Sequence, residues 1–128
     1  MSRQKTVPVR GVGVQIKQLY CRFRPDTASD PSTIYGQGVL DVTHLTTGRW
    51  TVSFNEAALR CLAIIPGVEV STSSNDYAIT CTPSNEGTTT PLSIVVTNNV
   101  GGTPTDIASH TQNWISLVVV VEESSAAV

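Results

Sequence analysis

Charged side chains are scarce in this 128-residue chain. Only 14% of its residues are Asp, Glu, Lys or Arg, whereas about 25% is usual for soluble domains. Because charge normally keeps a domain's surface in water, this deficit indicates that partner subunits cover part of the surface. The many Thr and Ser residues offer an alternative explanation, since they also form a neutral polar surface. The sequence leaves both explanations open.

Signatures of catalysis and metal binding are missing as well. The two histidines and three cysteines lack zinc-ligand spacing, and no phosphate-binding loop or Gly-x-Ser-x-Gly elbow occurs. Asp41 and His44 are three residues apart in a predicted strand, so they point to opposite faces. Asp106 and His110 flank a loop in which an Asp commonly caps a turn. We therefore expect a non-enzymatic protein with no catalytic residue, no metal site and no cofactor.

The sequence shows neither a secretory signal nor a membrane span. Residues 1–10 are polar and basic, and the longest apolar run, residues 117–121, is too short to cross a bilayer. Cys21, Cys61 and Cys81 are odd in number, which favours free thiols in a protein made in a reducing cytoplasm. We predict no membrane partner.

Basic residues are concentrated at the beginning of the chain. Residues 1–24 hold six of the eight basic residues and no acid, whereas all ten acids follow. One interpretation is a basic strand stabilised by its own acidic body. The other is an arm, residues 1–10, whose Arg3, Lys5 and Arg10 contact an acidic partner surface. Nucleic acid is a weaker candidate partner, because the basic residues are spread along a strand-like segment with few aromatics, and we predict none.

Alternating apolar residues separated by turn residues predict short strands along most of the chain. Residues 38–46 and 49–55 predict a β-hairpin, with Trp50 and Phe54 in the core. Asn55 to Leu62 is the one predicted helical piece. A change of alternation at Lys17 and Gln18 predicts a β-bulge or bend. The pattern indicates an all-β fold, an antiparallel β-sandwich that is jelly-roll-like or Ig-like, with an extended N-terminal arm.

We divide the chain into the basic arm at residues 1–10, a β-sandwich domain at residues 11–122 and a flexible tail at residues 123–128. The last predicted strand, residues 114–121, is apolar at almost every position, so both of its faces must be covered. It is therefore either central in the sandwich or covered by a neighbouring subunit. The candidate subunit interface consists of Trp114, Ile115, Leu117 and Val119.

Two stretches resemble small β-sandwich proteins of tailed bacteriophages. Residues 38–56, GVLDVTHLTTGRWTVSFNE, are similar to a G-x-x-x-V-x-R-x-x-x-G-x-Y-T-V-T-F hairpin of these proteins, with His44 in place of Arg and Trp50 in place of Tyr. Residues 101–124, GGTPTDIASHTQNWISLVVVVEES, resemble their closing T-P-T-D-I-A … N-x-I-x-x-x-L-x-x strand. Together the two stretches cover about a third of the chain, and they specify fold better than role.

This resemblance implies a virion structural protein that forms homotrimers. The first expectation is a capsid decoration (cement) protein, made in the host cytoplasm, that clamps neighbouring major capsid subunits on the outer capsid surface. The alternative is a tail-fibre or receptor-binding module that binds glycan. With only three Tyr and two Trp residues, the chain is lean in the aromatics that a sugar site uses.

Overall fold

The chain folds as an antiparallel β-sandwich, which confirms the predicted fold class. The computed structural model describes residues 16–71 and 77–123. The predicted arm with Arg3, Lys5 and Arg10, and residues 124–128 of the predicted tail, lie outside the described residues. No helix occurs within residues 16–71 and 77–123.

Nine strands form two sheets. The strands are β1 (Ile16–Phe23), β2 (Ile34–Gln37), β3 (Val39–Thr46), β4 (Arg49–Phe54), β5 (Arg60–Glu69), β6 (Tyr77–Ser84), β7 (Ser93–Val100), β8 (Thr103–Pro104) and β9 (Trp114–Glu122). The first sheet has the order β2-β1-β9-β5, and the second has the order β3-β4-β7-β6, with β8 paired to β7. All of these pairings are antiparallel.

Alternate residues of the central strands face inward and form one core. Leu19, Cys21 and Phe23 of β1 meet Trp50, Val52 and Phe54 of β4 in this core. The rings of Phe23 and Trp50, one from each sheet, lie 5.8 Å apart at 55°. Complete burial of one Val, Leu, Ile or Phe side chain contributes about 1.5–3 kcal/mol, so this shared core holds the two sheets together. Trp50 and Phe54 are fully buried, as predicted.

The predicted hairpin is confirmed as β3 and β4, which pair around a turn at Thr47 and Gly48. Gly48 has a φ of +74° there, in the left-handed region that glycine adopts without strain. The register shifts between Val39 and Asp41 and again between His44 and Thr46. These irregularities leave Leu40 and Leu45 exposed on the edge strand of the second sheet.

The predicted helix at Asn55 to Leu62 is wrong. Its backbone groups bond to other parts of the chain instead of forming helical bonds four residues apart. The N–H of Asn55 donates to Gly38, and the carbonyl of Glu56 accepts from Leu92. The N–H of Leu59 donates to Glu122, and β5 begins at Arg60. The segment crosses from one sheet to the other, and tertiary pairing overrides its helical propensity.

The predicted bulge at Lys17 and Gln18 is also wrong. β1 pairs with β9 in one continuous register from Ile16 to Phe23. The change of alternation in the sequence arises because Ile16 lies on the outer face of the sheet, where it is 62% exposed. The last strand, β9, is central in the first sheet between β1 and β5. The first of its two predicted placements is therefore the observed one.

Candidate functional site

The outer face of the first sheet carries an apolar patch. Leu117 and Val119 of β9 point into the core, so Val118 and Val120 face outward. Val118 pairs with Tyr20 of β1 and with Ile65 of β5, and directly paired residues share a face. Tyr20 is 36% exposed and Ile65 is 59% exposed. We call Tyr20, Ala63, Ile65, Val118 and Val120 the outer patch.

An ion pair closes each end of this face. Arg22 of β1 and Glu69 of β5 form a 2.6 Å pair at one end, and Arg60 and Glu122 form a 2.6 Å pair at the other. Between them, the outward residues of the described strands are uncharged. The exposed side chains of Ile16 and Leu62 extend the apolar surface beside the second pair. The face therefore has an apolar centre and a neutralised charged rim.

The predicted subunit interface is wrong for three of its four residues. Ile115, Leu117 and Val119 are completely buried between the two sheets, so they cannot contact another subunit. Trp114, the fourth, is half-buried on the outer face. The run of apolar residues in β9 indicated that both faces are covered. It did not indicate which alternate residues of β9 form the core. For that reason the predicted interface omitted Val118 and Val120, which face outward.

Trp114 lies at the end of the first sheet within a cluster of cationic and aromatic groups. The guanidinium carbons of Arg22 and Arg24 lie 4.3 and 4.6 Å from its ring centroid, within cation–π range. The ring of Tyr35 lies 5.9 Å away. The indole Nε1–H donates to the carbonyl of Thr111 at 3.1 Å. These contacts fix the orientation of the indole.

A cleft of about 460 Å³ opens beside this cluster. Its volume falls within the range of about 300–1,000 Å³ that is usual for small-molecule sites. The cleft is lined by Arg22, Glu69, Val70, Ser71, Thr111, Gln112 and Trp114. Six of these seven side chains, all but Val70, carry a hydrogen-bond donor or acceptor, so the cleft suits a polar ligand.

The outer face of the second sheet is dominated by hydroxyl groups. Cross-strand neighbours on this face include Thr43 beside Thr51 and Thr97 beside Thr80. Its outward strand residues include only two charged side chains among those described, at Asp41 and Arg49. A neutral polar surface therefore accounts for the low charge of the second sheet. The hydroxyl groups on the outer face of the second sheet can bind water, whereas the outer patch makes the outer face of the first sheet apolar.

His44 and Asp106 form a pair that the sequence did not predict. His44 Nε2 lies 2.8 Å from Asp106 Oδ1, and the same oxygen accepts the N–H of Gly48 at 2.6 Å. Asp106 thus caps the β3–β4 turn from across the fold. His110 instead accepts the N–H of Gln112 at its Nδ1, 3.0 Å away. The pair joins the segment before β9 to the hairpin, which is a structural role.

The three cysteines are free thiols. Burial raises the pKa of Cys21 to about 12 and that of Cys81 to about 11. Burial, together with the charge of Glu86, raises the pKa of Cys61 to about 11. A nucleophilic cysteine needs a lowered pKa, whereas burial keeps these three thiols protonated at neutral pH.

Within residues 16–71 and 77–123, no group of three or more His, Cys, Asp or Glu side chains is placed to hold a metal ion. The same ranges contain no helix that is long and apolar enough to span a membrane. The chain matches no protein-family model, no curated protein and no solved structure.

Proposed function

We propose that this chain is a non-enzymatic structural protein that assembles with other subunits through the outer patch. One observation carries the proposal: three adjacent strands place Tyr20, Val118 and Ile65 side by side on a face that no other part of the described chain covers. Soluble monomers seldom leave a contiguous apolar surface across a sheet in water.

The arrangement of the face matches the anatomy of protein interfaces. Such interfaces have an apolar centre depleted of charge and a polar rim. Here the rim consists of the pairs Arg22–Glu69 and Arg60–Glu122. Because each rim charge already has a partner within its own subunit, docking at the centre leaves no charge buried alone. Each Å² of apolar surface removed from water contributes about 25 cal/mol before the costs of association.

The finer role we propose is decoration of a tailed-phage capsid. The resemblance of residues 38–56 and 101–124 to small virion proteins supports it. A homotrimer on the outer capsid surface would clamp neighbouring major capsid subunits. The weak contacts made by each of its three subunits would add up to a stable attachment. Arg3, Lys5 and Arg10 of the N-terminal arm are the candidate contacts with an acidic capsid surface.

Copy number in purified virions tests this role. Quantitative mass spectrometry against the major capsid protein should find hundreds of copies per virion, located on heads separated from tails. A handful of copies on the tail would refute decoration and support the tail-fibre or receptor-binding alternative. Absence from the virion would refute both.

Deletion of residues 1–10 tests the arm. We expect heads decorated with the truncated protein to lose it at lower salt than heads with the full chain, because salt screens a basic arm on an acidic surface. A matched variant, Arg49→Gln on the second sheet, removes one charge without altering the arm and should keep normal salt tolerance. Equal tolerance for the truncated and full chains would refute a role for the arm.

A further inference from the structure

The cleft beside Trp114 is a second candidate site, which adjoins the outer face and shares the rim pair Arg22–Glu69 with it. We propose that it binds one neutral saccharide residue of a surface glycan. This inference goes beyond assembly, since it concerns a small polar ligand at the end of the sheet.

The Arg22–Glu69 pair supplies the main recognition groups. Arg22 Nη2 donates to Glu69 Oε1 at 2.6 Å, and the Glu69 side chain stays 64% exposed. Its free lone pairs can therefore accept hydrogen bonds, while the Nη N–H groups of Arg22 that Glu69 leaves free can donate; Nε of Arg22 is buried. Neighbouring sugar hydroxyls each donate and accept one bond, so a donor and an acceptor side by side match them.

The charge balance favours a neutral ligand over an anion. Among the described residues that line the cleft, Arg22 is the only cation, and Glu69 neutralises it. A free carboxylate or phosphate would have to compete with Glu69 for Arg22. Ser71, Thr111 and Gln112 add neutral hydroxyl and amide groups to the wall, and Trp114 holds the guanidinium groups of Arg22 and Arg24 over its ring.

The walls of the cleft are held in place before any ligand arrives. Asn113 is 6% exposed; its Oδ1 accepts the N–H of Ser71, and its Nδ2 donates to the carbonyl of Ala108, at 2.8 and 2.9 Å. The indole of Trp114 bonds to the carbonyl of Thr111. These bonds tie the 108–113 loop to the end of β5. A site that is ordered in advance loses less entropy on binding.

Tryptophan fluorescence gives a direct measurement, because Trp50 is completely buried and Trp114 lines the cleft. The purified full chain is first screened on an array of neutral hexose and N-acetylhexosamine oligosaccharides. The strongest binder is then titrated while emission is recorded, with sodium acetate as the anion probe. We expect a saturable change with the oligosaccharide and none with acetate.

Two variants test the contacts. Glu69→Gln and Thr111→Val should each weaken binding about tenfold, because each leaves a sugar hydroxyl without its partner. Thr82→Val, which removes an exposed hydroxyl from the second sheet, should bind as the unchanged protein does. The inference is overturned if no arrayed sugar binds, if acetate gives the same change, or if both cleft variants keep full affinity. Thr111→Val should leave copy number on heads unchanged, because Thr111 belongs neither to the outer patch nor to its rim, so failure here is distinct from failure of the assembly proposal.

Discussion

His44 Nε2 lies 2.8 Å from Asp106 Oδ1, although the two residues are 62 positions apart in the chain. The side chains are 12% and 17% exposed, and the His44 ring packs edge-on against Trp50. The same Asp106 oxygen accepts the N–H of Gly48. One carboxylate therefore connects the segment that precedes β9 to the edge hairpin of the second sheet.

Removal of this carboxylate should destabilise the fold. We expect Asp106→Ala to lower the free energy of unfolding by about 2–3 kcal/mol, because the N–H of Gly48 and the ring of His44 lose their acceptor in a partly buried place. Asp106→Asn keeps an acceptor oxygen and should cost about 1 kcal/mol. Urea denaturation measures both. Asp41→Ala, which removes a carboxylate bonded only to the adjacent N–H of Val42, should change stability by less than about 0.5 kcal/mol. Equal losses for Asp106→Ala and Asp41→Ala would contradict the proposed cap.

Gly48 should be the least replaceable glycine of the described turns. A methyl group on Gly48 would overlap the backbone of Thr105 and approach the carbonyl carbon of Pro104 to 2.7 Å. Gly101 is a matched control, because it also has a positive φ of +59° but has nothing within 4 Å of an added methyl group. Gly101→Ala should cost about 1 kcal/mol for backbone strain alone. Gly48→Ala should cost at least about 3 kcal/mol, since backbone must also move. If Gly48→Ala and Gly101→Ala have similar midpoints of thermal denaturation, the backbone of Pro104 and Thr105 can move away from the added methyl group.

Alkaline pH should weaken the fold through Cys21. Its pKa rises from 9.0 to about 12 on burial, so the folded state keeps a proton that the unfolded state releases. The stability contribution is therefore complete below pH 9 and is lost as pH rises toward 12. The slope is about 1.4 kcal/mol per pH unit for one thiol.

The Cys21→Ala variant isolates this effect. It should be less stable than the unchanged chain at pH 8 because it leaves a small cavity, but between pH 8 and pH 10 it should lose about 1.4 kcal/mol less. Denaturant titrations at the two pH values measure the difference, and the other two cysteines contribute equally to both proteins. Parallel losses in the two proteins would mean that the Cys21 thiol titrates normally.

Association of the purified chain should depend on Ile65. The chain has a mass of 13.6 kDa, and a homotrimer would sediment with three times that mass. Ile65→Lys places a charge in the centre of the outer patch, so it should shift the population toward the monomer in analytical ultracentrifugation. Leu45→Lys is a suitable control, because Leu45 is similarly exposed, at 52%, but lies on the second sheet. A trimer that is unaffected by Ile65→Lys would show that another surface joins the subunits.

Strand periodicity made much of the fold predictable. Trp50, Val52 and Phe54 alternate strictly in the sequence, and all three are buried in β4. The failures occurred where local pattern and tertiary pairing disagree. Residues 55–62 have helix-forming residues, yet their backbone groups find partners in distant parts of the chain, at Gly38, Leu92 and Glu122. Two features of the sequence point to the outer patch. Tyr20 lies between Leu19 and Cys21 in an alternating strand, so it faces the side opposite to theirs, and valine occupies every position from 118 to 121.

From the sequence alone it follows that this chain is built of antiparallel strands, that β3 and β4 form a hairpin, and that β9 carries apolar residues on both faces. Each of these follows from a period of two or from turn residues that are adjacent in the chain. The tertiary structure alone decided that Ile115, Leu117 and Val119 face the core while Val118 and Val120 form the outer patch. It also decided that Asp106 meets His44 and not His110. The geometry of a strand places neighbouring residues on opposite faces of the sheet. Only the packing of the second sheet against the first selects which face becomes the interior.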